Sequence, residues 1–213
     1  MEKSVLIVAG GCKPSKKLIS DYIKKTDITI AADKGGDYLK SLKIEPYALV
    51  GDFDSINKKS LSWFEKKGVR IHSTNVQKDE TDTMLAIMMA VGYGAKIVYI
   101  LGALGGRLDH LYANITLLQY AKSKGVEAIL IDDKNRLFLS DSNVKTEMAI
   151  GDHFSIFAVS EDVLFNHSIG LKYPLDGLLI EKFNPIGVSN QVIDEKVEID
   201  IENGTALIII SND

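Results

Sequence analysis

Short, β-branched apolar runs alternate with helix-spaced segments through the first two-thirds of the chain, and this pattern narrows the fold more than any other feature. Residues 4–9 (SVLIVA), 28–32 (ITIAA), 47–50 (YALV), 69–72, 96–101 (KIVYIL) and 127–132 (EAILID) read as strands. Most are nearly continuous in apolarity, as strands are when helices cover both faces of a parallel sheet. Between them, Met84, Ile87, Met88 and Val91 recur at i, i+3, i+4 and i+7, and Leu111, Ile115 and Leu118 repeat the spacing after Asp109. This βαβα order predicts a doubly wound, mostly parallel α/β domain over residues 1–134.

The pattern changes near residue 135. Residues 136–140, 153–159, 177–180, 196–201 and 206–210 read as strands with no convincing helix between them. Turn residues separate them at Ile150-Gly151-Asp152, Tyr173-Pro174, Asn184-Pro185 and Asn203-Gly204, and Asn-Gly between alternating strands predicts a hairpin. Residues 135–213 are therefore expected to form a smaller all-β, sandwich-like antiparallel domain.

Composition excludes several functions. The net charge is −4 and no basic stripe exceeds pairs such as Lys16-Lys17, which argues against nucleic acid or an anionic membrane as partner. No apolar run approaches the ~20 residues of a membrane span. Cys12 is the one cysteine, so no internal disulfide forms and a cytoplasmic location is expected. Four scattered histidines give no zinc-type spacing.

In open parallel sheets, ligands bind beyond the carboxyl ends of the strands. Here those ends carry Gly10-Gly11, Asp33-Lys34-Gly35-Gly36, Gly51-Asp52-Phe53-Asp54, Lys78-Asp79-Glu80-Thr81-Asp82 and the stretch from Gly102 to Arg107 with Gly105-Gly106. Singly, each has a plain reading. Asp79 or Thr81 caps a helix, Asp33 belongs to a turn, Gly105-Gly106 serve backbone geometry, Asp52 and Asp54 are solvated, and His110 with Asn114 form a polar pair one helical turn apart. Jointly, Asp33, Asp52, Asp54, Asp79, Asp82 and Asp109 crowd one rim, and two carboxylates at 4 Å repel by roughly 4 kcal/mol at an effective dielectric near 20. A hard divalent cation removes that penalty, and oxygen-only ligands favour Mg²⁺. Glycine-rich turns with Lys78 and Arg107 suit phosphates. The residues thus point to a Mg²⁺-dependent enzyme of nucleotide phosphates.

Ala32-Asp33 with Gly35-Gly36, GDFDS at 51–55, KDETD at 78–82, GGRLDH at 105–110 with Asn114, GLKYPL at 170–175 and GVSNQ at 187–191 resemble, in order and approximate spacing, the thiamine pyrophosphokinase (thiamin diphosphokinase) family. The resemblance spans nearly the whole chain. It implies transfer of pyrophosphate from ATP to thiamine, giving AMP and thiamine diphosphate, by a homodimer with thiamine bound between one subunit's catalytic domain and its partner's β-domain. It further implies that Asp52, Asp54 and Asp82 hold Mg²⁺ and the triphosphate, with Arg107 also catalytic. Asp33, Gly35, Gly36, Lys78, Asp79, Thr81, Gly105, Gly106, Asp109, His110 and Asn114 would line the nucleotide region. Tyr173, Ser189 and Asn190 would meet thiamine.

Two positions depart from the family pattern: Lys34 stands between Asp33 and the glycine pair, and Tyr173 replaces a tryptophan of some relatives. Two other readings of the same residues are a haloacid-dehalogenase-like phosphohydrolase, with Asp52 as nucleophile and Asp54 as acid/base, and a non-catalytic nucleotide or thiamine sensor.

Overall fold

The computed structural model describes residues 3–74 and 80–212, so Lys78 and Asp79 lie outside the described residues. The chain forms two units, residues 1–133 and 134–213. In the first, β1 (Lys3–Val8), β2 (Ile28–Ala32), β3 (Ala48–Gly51), β4 (Arg70–Ser73), β5 (Ala95–Leu101) and β6 (Glu127–Ile131) pair in parallel in the order β6-β5-β1-β2-β3-β4. The chain winds outward from β1 to β4, then returns to lay β5 on the other side of β1. That reversal puts a crevice at the carboxyl ends of β1 and β5.

Central burial explains why these segments are strands. Val5, Leu6, Ile7 and Val8 of β1 are fully buried, as are Ile30, Leu49, Val98 and Ile100 on its neighbours. At ~25 cal/mol per Å² of apolar surface, burying each such side chain stabilises the fold by roughly 1.5–3 kcal/mol.

The connecting helices are α1 (Lys16–Lys25), α2 (Gly35–Ser41), α3 (Lys58–Lys66), α4 (Asp82–Gly92) and α5 (Leu108–Ser123). Ser15, Asn57 and Thr81 cap α1, α3 and α4, each side chain accepting a backbone N–H of the first turn. Sequence periodicity picked out α4 and α5 but not α2, which opens on Gly35-Gly36. There a Cβ on Gly35 would stand 1.9 Å from the Val8 carbonyl oxygen, so close packing overrides helix propensity. No helix among the described residues is long and apolar enough to cross a membrane.

The second unit contains two antiparallel sheets. β7 (Asn135–Ser140), β9 (His153–Ala158), β12 (Asn190–Gln191) and β14 (Ala206–Ser211) pair in the order β12-β9-β14-β7. β8 (Val144–Glu147), β10 (Val163–Ile169), β11 (Leu179–Ile180) and β13 (Lys196–Asn203) pair as β11-β10-β13-β8. Gly187 bridges the sheets, since an added Cβ would meet Ile156 of β9 at 2.6 Å and Ile180 of β11 at 2.9 Å.

This unit differs from the sequence expectation at the Asn203-Gly204 turn and in strands β8, β10 and β12, which the pattern did not pick out. Asn203-Gly204 makes no hairpin: β13 pairs with β10 and β8, whereas β14 pairs with β7 and β9. The turn is a corner between sheets, and Gly204 is required because a Cβ there would lie 2.4 Å from the Asp162 carbonyl oxygen. Strand β10 escaped the pattern because its register against β13 shifts around Phe165 and His167, which breaks alternation beside polar, exposed residues.

Gly35→Ala is expected to destabilise the protein by at least about 3 kcal/mol, because the rigid Val8 carbonyl blocks the new methyl. Gly92→Ala, with open space around it in a helical backbone, should be neutral or up to about 1 kcal/mol stabilising. Urea unfolding of both variants checks the pair.

Candidate active site

The carboxyl ends of the parallel strands open onto one cavity of about 940 Å³. At its floor, the Gly11 N–H donates to the Gly102 carbonyl at 2.7 Å, tying the turn after β1 to the turn after β5. An added Cβ on Gly11 would stand 2.5 Å from that oxygen, so glycine is needed for the approach.

Asp33 follows β2 and is 6% exposed. Its backbone sits in the left-handed region at φ 43°, held by its N–H to the Val50 carbonyl at 2.9 Å, while Oδ1 accepts from the Ile56 N–H at 3.2 Å. Burial first, then the nearby Asp82 carboxylate, push the Asp33 carboxyl above the usual aspartate range, against hydrogen bonds from Ile56, Lys34 and Ser55.

β3 delivers Gly51 at φ 150°, then Asp52, whose Oδ1 accepts from the Asp54 N–H at 3.2 Å, with Phe53 at φ 64° between. Thr81 caps α4 and so fixes Asp82 as its first residue. Carboxylate oxygens of Asp33, Asp52 and Asp82 lie within 4.8 Å of one another. Such pairs repel by roughly 3 kcal/mol each at an effective dielectric near 20. This compact, all-oxygen donor set fits a hard divalent cation and not a thiophilic one. Asp54 lines the cavity but is not in this group; the Ser55 hydroxyl donates to it at 2.7 Å.

Past β5, Gly105 and Gly106 adopt φ 75° and 78°, leading the chain into α5. Arg107 and Asp109 form a forked pair, Nε donating to Oδ1 at 3.1 Å and Nη2 to Oδ2. The guanidinium, with the His110 N–H, holds the Asp109 carboxyl down at about 2. Asn114 is buried and donates to the Ala103 carbonyl at 2.8 Å, so it braces the β5–α5 turn as well as lining the cavity.

Of the residues singled out from the sequence, Asp33, Asp52, Asp54, Thr81, Asp82, Gly105, Gly106, Arg107, Asp109, His110 and Asn114 line the cavity. Gly35 and Gly36 do not. They are buried in the first turn of α2, where added Cβ atoms would strike the Val8 carbonyl and the side chains of Ile56, Leu49 and Phe64. Their lack of side chains serves packing behind the site. The cavity also takes in Lys34, Ser55 and Glu80, which the motifs contain but to which no role was given, and Cys12, which follows Gly10-Gly11. Membership of those motifs, or for Cys12 position after a strand end, was the signal they carried.

In the second unit, Asn190 is 8% exposed and its amide is turned onto the backbone of Tyr173. Oδ1 accepts from the Tyr173 N–H at 3.0 Å and Nδ2 donates to the Tyr173 carbonyl at 2.6 Å. Tyr173 is itself 61% exposed. Ser189 adopts φ 58°, pinned by its N–H to the Ser155 hydroxyl at 3.0 Å. Asn190 therefore acts as a mount for an outward-facing tyrosine.

A doubly wound α/β sheet with glycine turns, clustered carboxylates and an arginine along the carboxyl ends of its strands defines a protein built to handle nucleotide phosphates. Comparison with known proteins narrows this class. The family model described as "Thiamin pyrophosphokinase, catalytic domain" matches residues 19–130, and "Thiamin pyrophosphokinase, vitamin B1 binding domain" matches residues 142–206. Thiamine pyrophosphokinase of Bacillus subtilis is 30% identical over 220 aligned residues, spanning 99% of this chain and 100% of that one. The solved structure of the B. subtilis protein superposes with a TM-score of 0.87 over 99% of this chain and 100% of its own. That of thiamin pyrophosphokinase from Geobacillus thermodenitrificans, 27% identical, gives 0.84 over 99% and 98%. The chain belongs to the thiamine pyrophosphokinase family.

Because its folded value is depressed, the Asp109 carboxylate stabilises the fold above the ordinary aspartate range, and this contribution is lost as pH falls through about 2. Carbon-detected NMR titration is expected to find the Asp109 carboxyl well below the ordinary aspartate range. Arg107→Met should return it to the ordinary range, and added salt should shrink the shift because both groups are exposed.

Proposed function

We propose that the protein is a thiamine diphosphokinase, transferring the pyrophosphoryl group of ATP to the hydroxyethyl oxygen of thiamine and releasing AMP. The observation that carries this reading is the convergence of Asp33, Asp52 and Asp82 in a nucleotide-sized cavity at the carboxyl ends of the parallel strands. It lies within the segment that matches the family's catalytic-domain model. The dehalogenase-like alternative lacks this support, since both family models that match the chain are thiamin pyrophosphokinase domains.

In this reading Asp33, Asp52 and Asp82 hold Mg²⁺, which when bound supplies charge neutralisation for the phosphate chain. The thiamine hydroxyl attacks the β-phosphorus, a P–O bond forms there, and the bond to the α–β bridging oxygen breaks with AMP as leaving group. Arg107, held by Asp109 through Nε and Nη2, offers its remaining Nη1 and Nη2 N–H groups to phosphate oxygens. Asp54, outside the clustered carboxylates and held by Ser55, accepts the hydroxyl proton. Catalysis of this kind rests on positioning and electrostatics, which agrees with a site in which no activated serine or cysteine pair is found among the described residues.

We further read the chain as a cytoplasmic homodimer in which thiamine packs on Tyr173 and near Ser189, where the β unit meets a partner subunit. The support is an aromatic ring held outward on a rigid mount, with Phe183, Ile186 and Val188 also exposed on that unit.

Incubation with ATP, Mg²⁺ and thiamine should yield AMP and thiamine diphosphate in equal amounts, followed by chromatography. Asp52→Asn and Asp82→Asn should each cut kcat by roughly 10²–10³-fold or more with the fold retained. Rates within a few-fold of wild type would move the site elsewhere. For the second unit, sedimentation should find a dimer, and Tyr173→Ala should raise KM for thiamine roughly 10-fold with KM for ATP unchanged. A monomer with wild-type thiamine kinetics in that variant would refute the placement.

A further inference from the structure

Lys34 stands between Asp33 and the glycine pair and lines the cavity. It occupies the N-cap position of α2 at φ −56° and ψ −21° and makes no side-chain capping bond. Lysine is a poor choice there on local grounds. It has no acceptor oxygen for the first-turn N–H groups, and its charge opposes the positive end of the helix. A residue that local energetics disfavours calls for a reason beyond the helix.

The cavity provides one. Its described lining carries six carboxylates, Asp33, Asp52, Asp54, Glu80, Asp82 and Asp109, against two permanent cations, Lys34 and Arg107. Arg107 is already engaged by Asp109. Among the described residues no ion pair to Lys34 is found. Within the described lining, Lys34 is thus a positive charge with no ion pair of its own.

Its position is equally specific. The lysine stem starts against Gly10, where an added Cβ would come within 2.9 Å of the Lys34 Cβ. Gly10 follows β1, Lys34 follows β2, and the strand order is β5-β1-β2-β3. Lys34 therefore stands between the Asp33, Asp52 and Asp82 cluster on one side and Arg107, which follows β5, on the other.

We propose that Lys34 is a phosphate-binding residue of this site, its ammonium contacting the polyphosphate chain of the nucleotide between the carboxylate cluster and Arg107. The inference rests on the nucleotide reading given above. An ammonium is a compact charge with three donors, suited to a phosphate chain without demanding one orientation. Gly10 contributes by leaving room for the lysine stem.

Three variants test it. Lys34→Met keeps the stem, Lys34→Arg keeps the charge, and Lys34→Ser introduces a capping oxygen. Lys34→Met is expected to lower kcat/KM for ATP roughly 10–100-fold, the range of one charge-assisted hydrogen bond, with KM for thiamine within about twofold. Lys34→Arg should recover most of the loss. Lys34→Ser should share the ATP defect while melting at or above the wild-type temperature, which a purely structural role would not produce. Calorimetric binding of inorganic tripolyphosphate with Mg²⁺ gives a readout independent of turnover, and Lys34→Met should weaken it by a similar factor. Equal tripolyphosphate binding by wild type and Lys34→Met, or ATP kinetics within about twofold, overturns the inference. A wild-type protein that binds tripolyphosphate through Lys34 but forms no thiamine diphosphate would overturn the kinase reading and leave this one standing.

Discussion

Three carboxylates held within 4.8 Å of one another are the constraint around which the first unit is built. Left to themselves they would separate, since each pair repels by about 3 kcal/mol at an effective dielectric near 20. Backbone geometry prevents it. Asp33 is locked in a left-handed conformation by bonds to Val50 and Ile56, and Asp82 is fixed by the Thr81 cap. Gly51 stands between them, where an added Cβ would lie 3.1 Å from the Asp33 Cβ and 3.3 Å from the Asp82 Oδ1. The left-handed backbone of Asp33 and Phe53 costs roughly 1–2 kcal/mol per residue. Four fully buried residues in β1 and its equally buried neighbours supply the rigidity that sustains it.

The same logic extends around the rim. No single loop makes the cavity; turns after β1, β2, β3 and β5 and the start of α4 each contribute a few atoms. Glycine does two separate jobs there. Gly11 and Gly102 let two turns approach closely, whereas Gly35 and Gly36 let α2 pack against β1 and β3 from behind. In the second unit a buried amide plays the corresponding part, with Asn190 holding the Tyr173 backbone so that an exposed ring has a fixed base.

The strands of the first unit were legible in sequence because a strand buried on both faces must be apolar at nearly every position. Helices α4 and α5 were legible from their spacing, while α2 was hidden behind two glycines demanded by packing. In the second unit the short β8 and β12 carried too few apolar residues to be read, whereas β7, β9, β13 and β14 were readable. Strand β10 was not, because its register shift interrupts the alternation. Asn203-Gly204 carried the right turn chemistry and the wrong partner, since local propensity sets how tightly a chain turns and not which sheet the next strand joins.

By itself the sequence determined the parallel α/β unit, the antiparallel β unit and the crowding of acids and glycines at strand ends, because burial and turn formation depend on near neighbours in the chain. Its ordered motifs also determined the family. Only the tertiary structure decided which acids meet: Asp33 joins Asp52 and Asp82 while Asp54 stands apart. It likewise turned Asn190 onto a backbone and brought Lys34 against Gly10 in the cavity. These outcomes depend on distances between strands that are remote in sequence, and those distances exist only once the sheet has formed.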